Sequence, residues 1–409
     1  MDFDDTPEEA AFRAEARAFL AAHHPRKDRA RAAARYGDVD ATELARARAW
    51  QAAKADAGFA GITWPREWGG RGGSPIQQII WNQEEAEFDV PYNVFLIGLG
   101  MCIPTLMAYA DRPVLDRFVA KALRGEEIWC QLFSEPAAGS DVAGLRTRAE
   151  RDGADWVVNG QKVWTSGAHY CDFGLLLART DPTVPKHAGL TAFWIDMKAP
   201  GVEVRPIHQM SGASHFNEVF FTDLRVPDRQ RLGAPGQGWK VALTTLMNER
   251  LAVGEPRRPD IHDLIALARA VTLDGSPAIE DKAVRARIAG WWADSAGLTY
   301  TRFRTMTALS RGQTPGPENS IAKVVNAAKQ QAIAAFGMEL LGQAGAVLDP
   351  ALAPMAALFQ EGLLSAPAQR IAGGTDEILR NIIAERVLGL PGDIRVDKDI
   401  PFNRAGARG

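Results

Sequence analysis

The sequence predicts a mixed α+β chain of several domains, ordered helical, then β, then helical. Three observations carry this. Residues 1–127 show apolar residues at helical spacing between proline-led caps. From Ile128 to about Lys240 the texture changes to short β-branched and aromatic runs broken by turn residues. From Val241 the helical spacing returns and holds to about residue 395. The expected organisation is an N-terminal α-helical domain at 1–127, a middle β-domain at 128–240, a C-terminal helical domain at 241–395 and a loose tail at 396–409. The 409 residues suffice for two or three cores.

In the first third, Thr6-Pro7-Glu8-Glu9 reads as a capping box with proline at the first helical position. Phe12, Ala16, Phe19 and Leu20 then share a face. A second helix is expected from near Thr42 to near Gly58. The segment TWPREWGGRGGSP is too rich in Gly and Pro for regular structure, and helix resumes at Ile76. The long uncharged run at 94–110 falls short of a ~20-residue span and contains Gly98, Gly100 and Pro104, so it reads as a buried helix. In the middle third, WVVNGQKVW places Asn159-Gly160 between apolar runs and predicts a hairpin turn there. LTAFWIDM and EVFFTDLRVP are further strands, giving an antiparallel β-domain. In the last third, three helices are expected: VALTTLMNERLAVG, PENSIAKVVNAAKQQAIAAFGMELLGQAG and TDEILRNIIAERVLGLPG.

Composition narrows the function. The balance of 47 basic and 50 acidic residues gives a formal charge of −3, which argues against nucleic acid or an anionic membrane as main partner. Cys102, Cys130 and Cys171 lie far apart, an odd and scattered set that fits a reducing compartment. Seven scattered histidines offer no zinc-binding spacing, so no metal is expected. The acidic N-terminus lacks the regions of a signal peptide. The expected location is cytoplasmic.

Three stretches look able to carry chemistry, each with a plainer alternative. SEPAAGSD, at 134–141, exposes backbone N–H groups and hydroxyls to a heterocycle or phosphate, or is a simple inter-strand turn. VWTSG, at 163–167, sets Trp164 beside Thr165 and Ser166, or Trp164 is a core residue. GGTDE, at 373–377, presents N–H groups to a negative group at a helix N-terminus, or is a glycine turn before a capped helix.

In their order, WPREWGGRGG, SEPAAGSDVAGLRTRAE, WVVNGQKVWTSGAHYCDFGLLLART, FNEVFFTDLRVP and GGTDEILRNIIAERVLG resemble the acyl-CoA dehydrogenase family over nearly the whole chain. The resemblance implies an N-terminal helical domain, a β-barrel-like middle domain and a C-terminal four-helix bundle. It implies FAD as cofactor, an acyl-CoA thioester as substrate and an electron-transfer flavoprotein as acceptor. It also implies a homodimer or homotetramer. Carried over by residue, Gln131, Phe133 and Ser134 would lie along the flavin, flanked by Trp164, Thr165 and Ser166. Ser140 would sit near the cofactor and the coenzyme A arm, and Gly374, Thr375 and Glu377 would contact FAD.

The reaction implied removes an α-proton and a β-hydride, so it needs a carboxylate base and donors for the thioester carbonyl. Many members carry the base directly before the Gly–Thr pair, where this chain has Gly373. Members acting on some branched and long chains take their glutamate from a C-terminal-domain helix, just before an arginine. The matching residues are Glu249 and Arg250 in TLMNERLAVG. Glu249 is therefore expected as base, with its pKa raised above ~4.3 by partial burial. Arg250 would bind or orient substrate, and Gly373 would offer its N–H to the carbonyl. Read alone, Glu249-Arg250 is a solvated or capping pair on a helix.

The chain departs from the family at the Arg-x-x-Phe-Gly element that helps hold FAD. Arg269 is the remnant, without a following Phe-Gly, and Glu339 stands where glutamine is common. Three functions follow as alternatives: a self-sufficient dehydrogenase, one subunit of a hetero-oligomeric dehydrogenase, or a flavin monooxygenase on the same fold. Room at Gly373 implies a branched, long or ring-bearing acyl group.

Overall fold

The computed structural model describes residues 5–28, 39–252, 258–310, 316, 317, 319–392, 394 and 397–405, with the side chains of 249–252, 309, 310 and 319 outside that description. Along the chain, α1 (Pro7–His23), α2 (Ala41–Asp56) and α3 (Pro75–Glu85) come first. A π-helical turn at Gly98–Cys102 runs into α4 (Ile103–Tyr109), followed by α5 (Arg112–Leu123). The strands are β1 (Trp129–Leu132), β2 (Arg148–Asp152), β3 (Asp155–Ser166), β4 (Phe173–Arg179), β5 (Leu190–Asp196), β6 (Val202–Ile207), β7 (Phe216–Pro227) and β8 (Arg231–Leu232). Then come α6 (Gly238–Ala252), α7 (Ile261–Ala270), the short pair β9 (Thr272–Leu273) and β10 (Ser276–Pro277), and α8 (Lys282–Ser310). The chain continues as α9 (Asn319–Leu341), α10 (Leu358–Gln369), α11 (Asp376–Ile382) and α12 (Phe402–Ala405).

The start signals act as expected. Thr6 Oγ1 accepts from Glu9 N at 3.3 Å, and Glu9 Oε2 accepts from Thr6 N at 2.7 Å. Ser74 and Gln77 repeat the same box ahead of α3. Phe12, Ala16 and Leu20 form the buried face of α1.

By its contacts the chain forms two compact units. One comprises Met1–Tyr36, Ser74–Val90 and Glu255–Gly392; it is helical, with a core of Leu264, Leu267, Ile333, Phe336 and Phe359. The other comprises Gly37–Gly73, Pro91–Gly254 and Asp393–Gly409 and holds the sheet. Its strands run β6-β7-β3-β2-β4-β5-β8, with β1 beside β4. The path is open, so the barrel-like expectation stops short of closure among the described residues. Nor is the sheet purely antiparallel, because β4 pairs in parallel with β1 and with one residue of β2. Helix α6 belongs to this unit. Its Thr245 hydroxyl lies 3.0 Å from that of Thr105 on α4, and its Thr244 hydroxyl lies 2.9 Å from Tyr109 OH.

Two further expectations are corrected. Asn159-Gly160 is not a hairpin turn but lies inside β3, opposite a bulge on β7 where the register shifts. The turn lies at Gly153, which has φ 61° and joins the paired Asp152 and Asp155. The extra residue lies on β7, where Asp223 takes φ 47°. Here Gly160 has φ 153°, and a Cβ on it would stand 2.5 Å from Thr147 Oγ1 and 2.6 Å from Thr147 Cα. Asn159 clips β3 to this bulge: its Nδ2 donates to Asp223 Oδ1 at 3.0 Å and its Oδ1 accepts from Asp223 N at 2.9 Å. Gly160→Ala is expected to cost about 1–3 kcal/mol by overpacking, read as a lower urea midpoint with unchanged slope.

The second correction is the tail. Residues 397–405 are docked on the sheet unit, with Phe402 N donating to Val184 O and Asn403 N to Pro182 O, both at 2.9 Å.

The three cysteines, distant in sequence, are all buried, and Cys102 Sγ donates to Cys130 O at 3.4 Å. Burial pushes the Cys102 and Cys171 thiols well above their ordinary range. Among the described residues no helix is long and apolar enough to cross a membrane.

Candidate active site

On the sheet unit, β1 delivers a half-buried Gln131 and a buried Phe133 and leads into Ser134. Two of the sequence-predicted segments meet here. Val163 N donates to Ser134 O at 2.9 Å, so the Phe133–Ser134 backbone runs beside the end of β3. Beneath them is an ion pair that the sequence reading missed. Lys162 Nζ lies 2.8 Å from Glu135 Oε1 and donates to Phe133 O at 3.0 Å, with no exposure of the lysine. Glu135 also accepts from Arg146 N at 2.6 Å and Thr147 N at 2.9 Å. Burial works to raise the Glu135 pKa, but the Lys162 charge and these donors outweigh it and hold the carboxyl below its ordinary range. A signal was present: Lys162 shares the inward parity of Trp156 and Val158 on β3.

Past Lys162 the β3–β7 register shifts again. Trp164 sits in this second bulge at φ 60°, a conformation that costs a bulky residue of order 1 kcal/mol and persists only where neighbours enforce it. The effect is to turn its ring outward. It is 57% exposed, braced edge-on by Phe216 at 5.8 Å between centroids. It is therefore not a core tryptophan. Thr165 is buried beside it, and its Oγ1 has no hydrogen-bond partner among the described residues. Buried Asn217 holds the bulge from β7, its Nδ2 donating to Thr165 O at 3.0 Å. Ser166 is half-buried, and Ser140 is exposed.

On the helical unit, Gly373 and Gly374 turn at φ 64° and 90° ahead of α11. Thr375 caps the helix, its Oγ1 accepting from Ile378 N at 3.2 Å. The turn is pinned. Buried Asp376 accepts from Arg370 Nε at 2.7 Å, Arg370 Nη1 donates to Gln331 on α9 at 3.2 Å, and Lys323 on α9 donates to Gly374 O. Gly373 and Glu377 are exposed. The pinned turn leaves the N–H groups of Gly373, Gly374 and Thr375 without a main-chain acceptor among the described residues. That is the donor set an oxyanion or carbonyl needs. Glu249 and Arg250 fall in the last turn of α6, and their side chains lie outside the described residues.

Where Arg-x-x-Phe-Gly was sought, α7 ends at Ala270 and a tight β9–β10 hairpin follows, turning on Asp274 and Gly275 at φ 49° and 83°. Arg269 lines an open cleft of about 650 Å³ with Ile265, Ile279, Glu280, Arg285 and Trp292. Glu339 is paired with Arg287 at 2.8 Å.

Three family models match in succession: the acyl-CoA dehydrogenase N-terminal domain at 6–126, the middle domain at 130–224 and the C-terminal domain at 236–388. The acyl-CoA dehydrogenase IpdE1 of Mycobacterium tuberculosis is 38% identical over 84% of this chain and 88% of its own length. The chain belongs to the acyl-CoA dehydrogenase family. The acyl-CoA dehydrogenase FadE34 of the same organism is 40% identical over 83% of this chain. The chain spans about half of that relative's length, 46%. A solved structure described as a Tcur3481-Tcur3483 steroid ACAD is similar with a TM-score of 0.81 at 27% identity, over 96% of this chain and all of that one.

Acyl-CoA dehydrogenases are FAD-dependent oxidoreductases, and the residues present fit that cofactor. On the sheet unit the outward ring of Trp164 offers a flat face, and the Thr165 hydroxyl, without a partner among the described residues, offers a hydrogen-bonding group.

Proposed function

We propose that this chain removes an α-proton and a β-hydride from an acyl-CoA thioester to give the trans-2-enoyl-CoA. The observation that carries the reading is Gly373, a side-chain-free residue in a pinned turn at the commonest base position, in a chain that carries Glu249-Arg250 in the last turn of α6. Glu249 takes the α-proton. Gly373 N–H holds the thioester carbonyl, and the more so as negative charge grows on its oxygen. Arg250 orients the substrate and Ser140 meets its coenzyme A arm. Gln131, Phe133, Ser134, Trp164, Thr165, Ser166, Gly374, Thr375 and Glu377 hold FAD, which supplies the hydride acceptor when bound. An electron-transfer flavoprotein takes the electrons onward. A ring-bearing acyl group is favoured, since Gly373 leaves room beside the α-carbon and one structural relative is described as a steroid enzyme.

A second reading makes this chain one subunit of a hetero-oligomer. It is favoured by the hairpin that replaces Arg-x-x-Phe-Gly after Arg269, and by a structural relative whose description names two proteins. One experiment separates the two: flavin content and anaerobic bleaching of the chain expressed alone, with a panel of acyl-CoA thioesters. About one FAD per chain, bleached by a ring-bearing or branched thioester, is expected of a complete dehydrogenase. Flavin-free protein would transfer support to the hetero-oligomer. Bound flavin that no thioester bleaches would sink the dehydrogenase reading.

A further inference from the structure

We infer that residues 397–405 form a strap that fixes the loop following Ser140, and so position the coenzyme A arm of the substrate. The inference rests on the assignment of Ser140 to that arm. Two cations make the connection, and each binds the loop and the strap at once. Lys186 Nζ lies 2.9 Å from Asp141 Oδ2, the residue next to Ser140, and 2.7 Å from Asp397 Oδ2 on the strap. Arg179, only 4% exposed, donates from Nη2 to Ala143 O at 2.6 Å and from Nε to Leu145 O at 3.1 Å. The ring of Phe402 lies over this guanidinium, with Cζ 3.5 Å from its centroid. Stacking an aromatic face on a desolvated cation is the strong form of that interaction.

The strap is itself held by main chain to 182–184, and Arg179 Nη1 donates to Lys186 O at 3.1 Å in the same segment. Loop 141–145, segment 182–186 and the strap therefore meet around two side chains. Asp141 is 58% exposed at its side chain, and Lys186 is the partner that ties it down. Losing the strap uncovers Arg179 and leaves Lys186 with one carboxylate in place of two. Ser140, exposed and beside Gly139, then has less to fix it.

The test uses the holoenzyme with four changes: Phe402→Ala, Phe402→Tyr, Asp397→Asn, and a chain ended after residue 396. Steady-state kinetics with a thioester that bleaches the wild type are combined with hydrogen exchange of the 139–145 segment. The shortened chain should show KM raised about tenfold, with kcat and flavin content unchanged and faster exchange at 139–145. Phe402→Ala should move in the same direction, and Phe402→Tyr should restore the wild-type value. Unchanged KM and exchange in all variants would overturn the strap. So would a fall in kcat and flavin content accompanying the rise in KM, which marks a merely structural role. Should no thioester bleach even the wild type, the reading of the reaction fails, while exchange at 139–145 still decides whether the strap holds the loop.

Discussion

Glu249→Gln should fold, bind FAD with a wild-type absorbance spectrum, and lose flavin reduction by acyl-CoA. A positioned general base contributes roughly 10²–10⁴ in rate, and the amide keeps size and hydrogen bonding while removing proton affinity. The loss should therefore appear in the reductive half-reaction, not in flavin occupancy. Anaerobic stopped-flow bleaching measures it directly. Reduction at near wild-type rate would remove Glu249 from the mechanism. The Gly373 turn makes the prediction sharp, because that position can supply an N–H but no carboxylate. A glutamate engineered at 373 would stand in a left-handed turn at φ 64°, a costly conformation for a side chain, so it is not a neutral control.

Lys162→Met should destabilise the protein by about 3–5 kcal/mol, the usual result of leaving one member of a buried pair behind. Lys162 is fully buried and Glu135 is 7% exposed at its side chain, so solvent screens the pair little. The sign with pH follows from Glu135. Its folded pKa lies below the ordinary 4.5, so its contribution is complete above that value and is lost as pH falls through the folded one. The gap in stability between wild type and Lys162→Met should therefore narrow on acidification, because protonation relieves the stranded carboxylate. Urea midpoints at neutral and acidic pH test both parts. A gap that widens at low pH would refute the assignment. Removing both charges, as Glu135→Gln with Lys162→Met, should recover much of the loss, since an unpaired charge is what costs most.

Local chemistry decided which features were legible in the sequence. Thr6-Pro7-Glu8-Glu9 carries all its information within four residues, and the capping box formed as written. The order of helical, β and helical segments was legible because burial periodicity is local too. Asn159-Gly160 misled because its own residues signal a turn, whereas what sets it inside β3 is non-local: Thr147 stands against Gly160, and a bulge at Asp223 on β7 lies opposite. The docked segment 397–405 looked loose because what holds it, Arg179 and Lys186, lies more than two hundred residues away. The site shows the same division. Trp164 and the glycine turn were found from their own residues, whereas the Glu135–Lys162 pair needed the fold to bring position 135 against position 162. Arg370 and Lys323, which pin the Gly373–Gly374 turn, carried no signal at all until the helices were in place.

The burial of the three cysteines has a chemical consequence for an enzyme of this kind. An α,β-unsaturated thioester is a Michael acceptor, and thiolates are the side chains that add to it most readily. Cys130 lies on β1, one residue before the Gln131 assigned to the flavin edge. It is fully buried, and Cys102 and Cys171 are likewise enclosed, with thiols that resist ionisation. Under the proposed reaction, whose product is such an electrophile, this burial would keep the catalyst from alkylating itself.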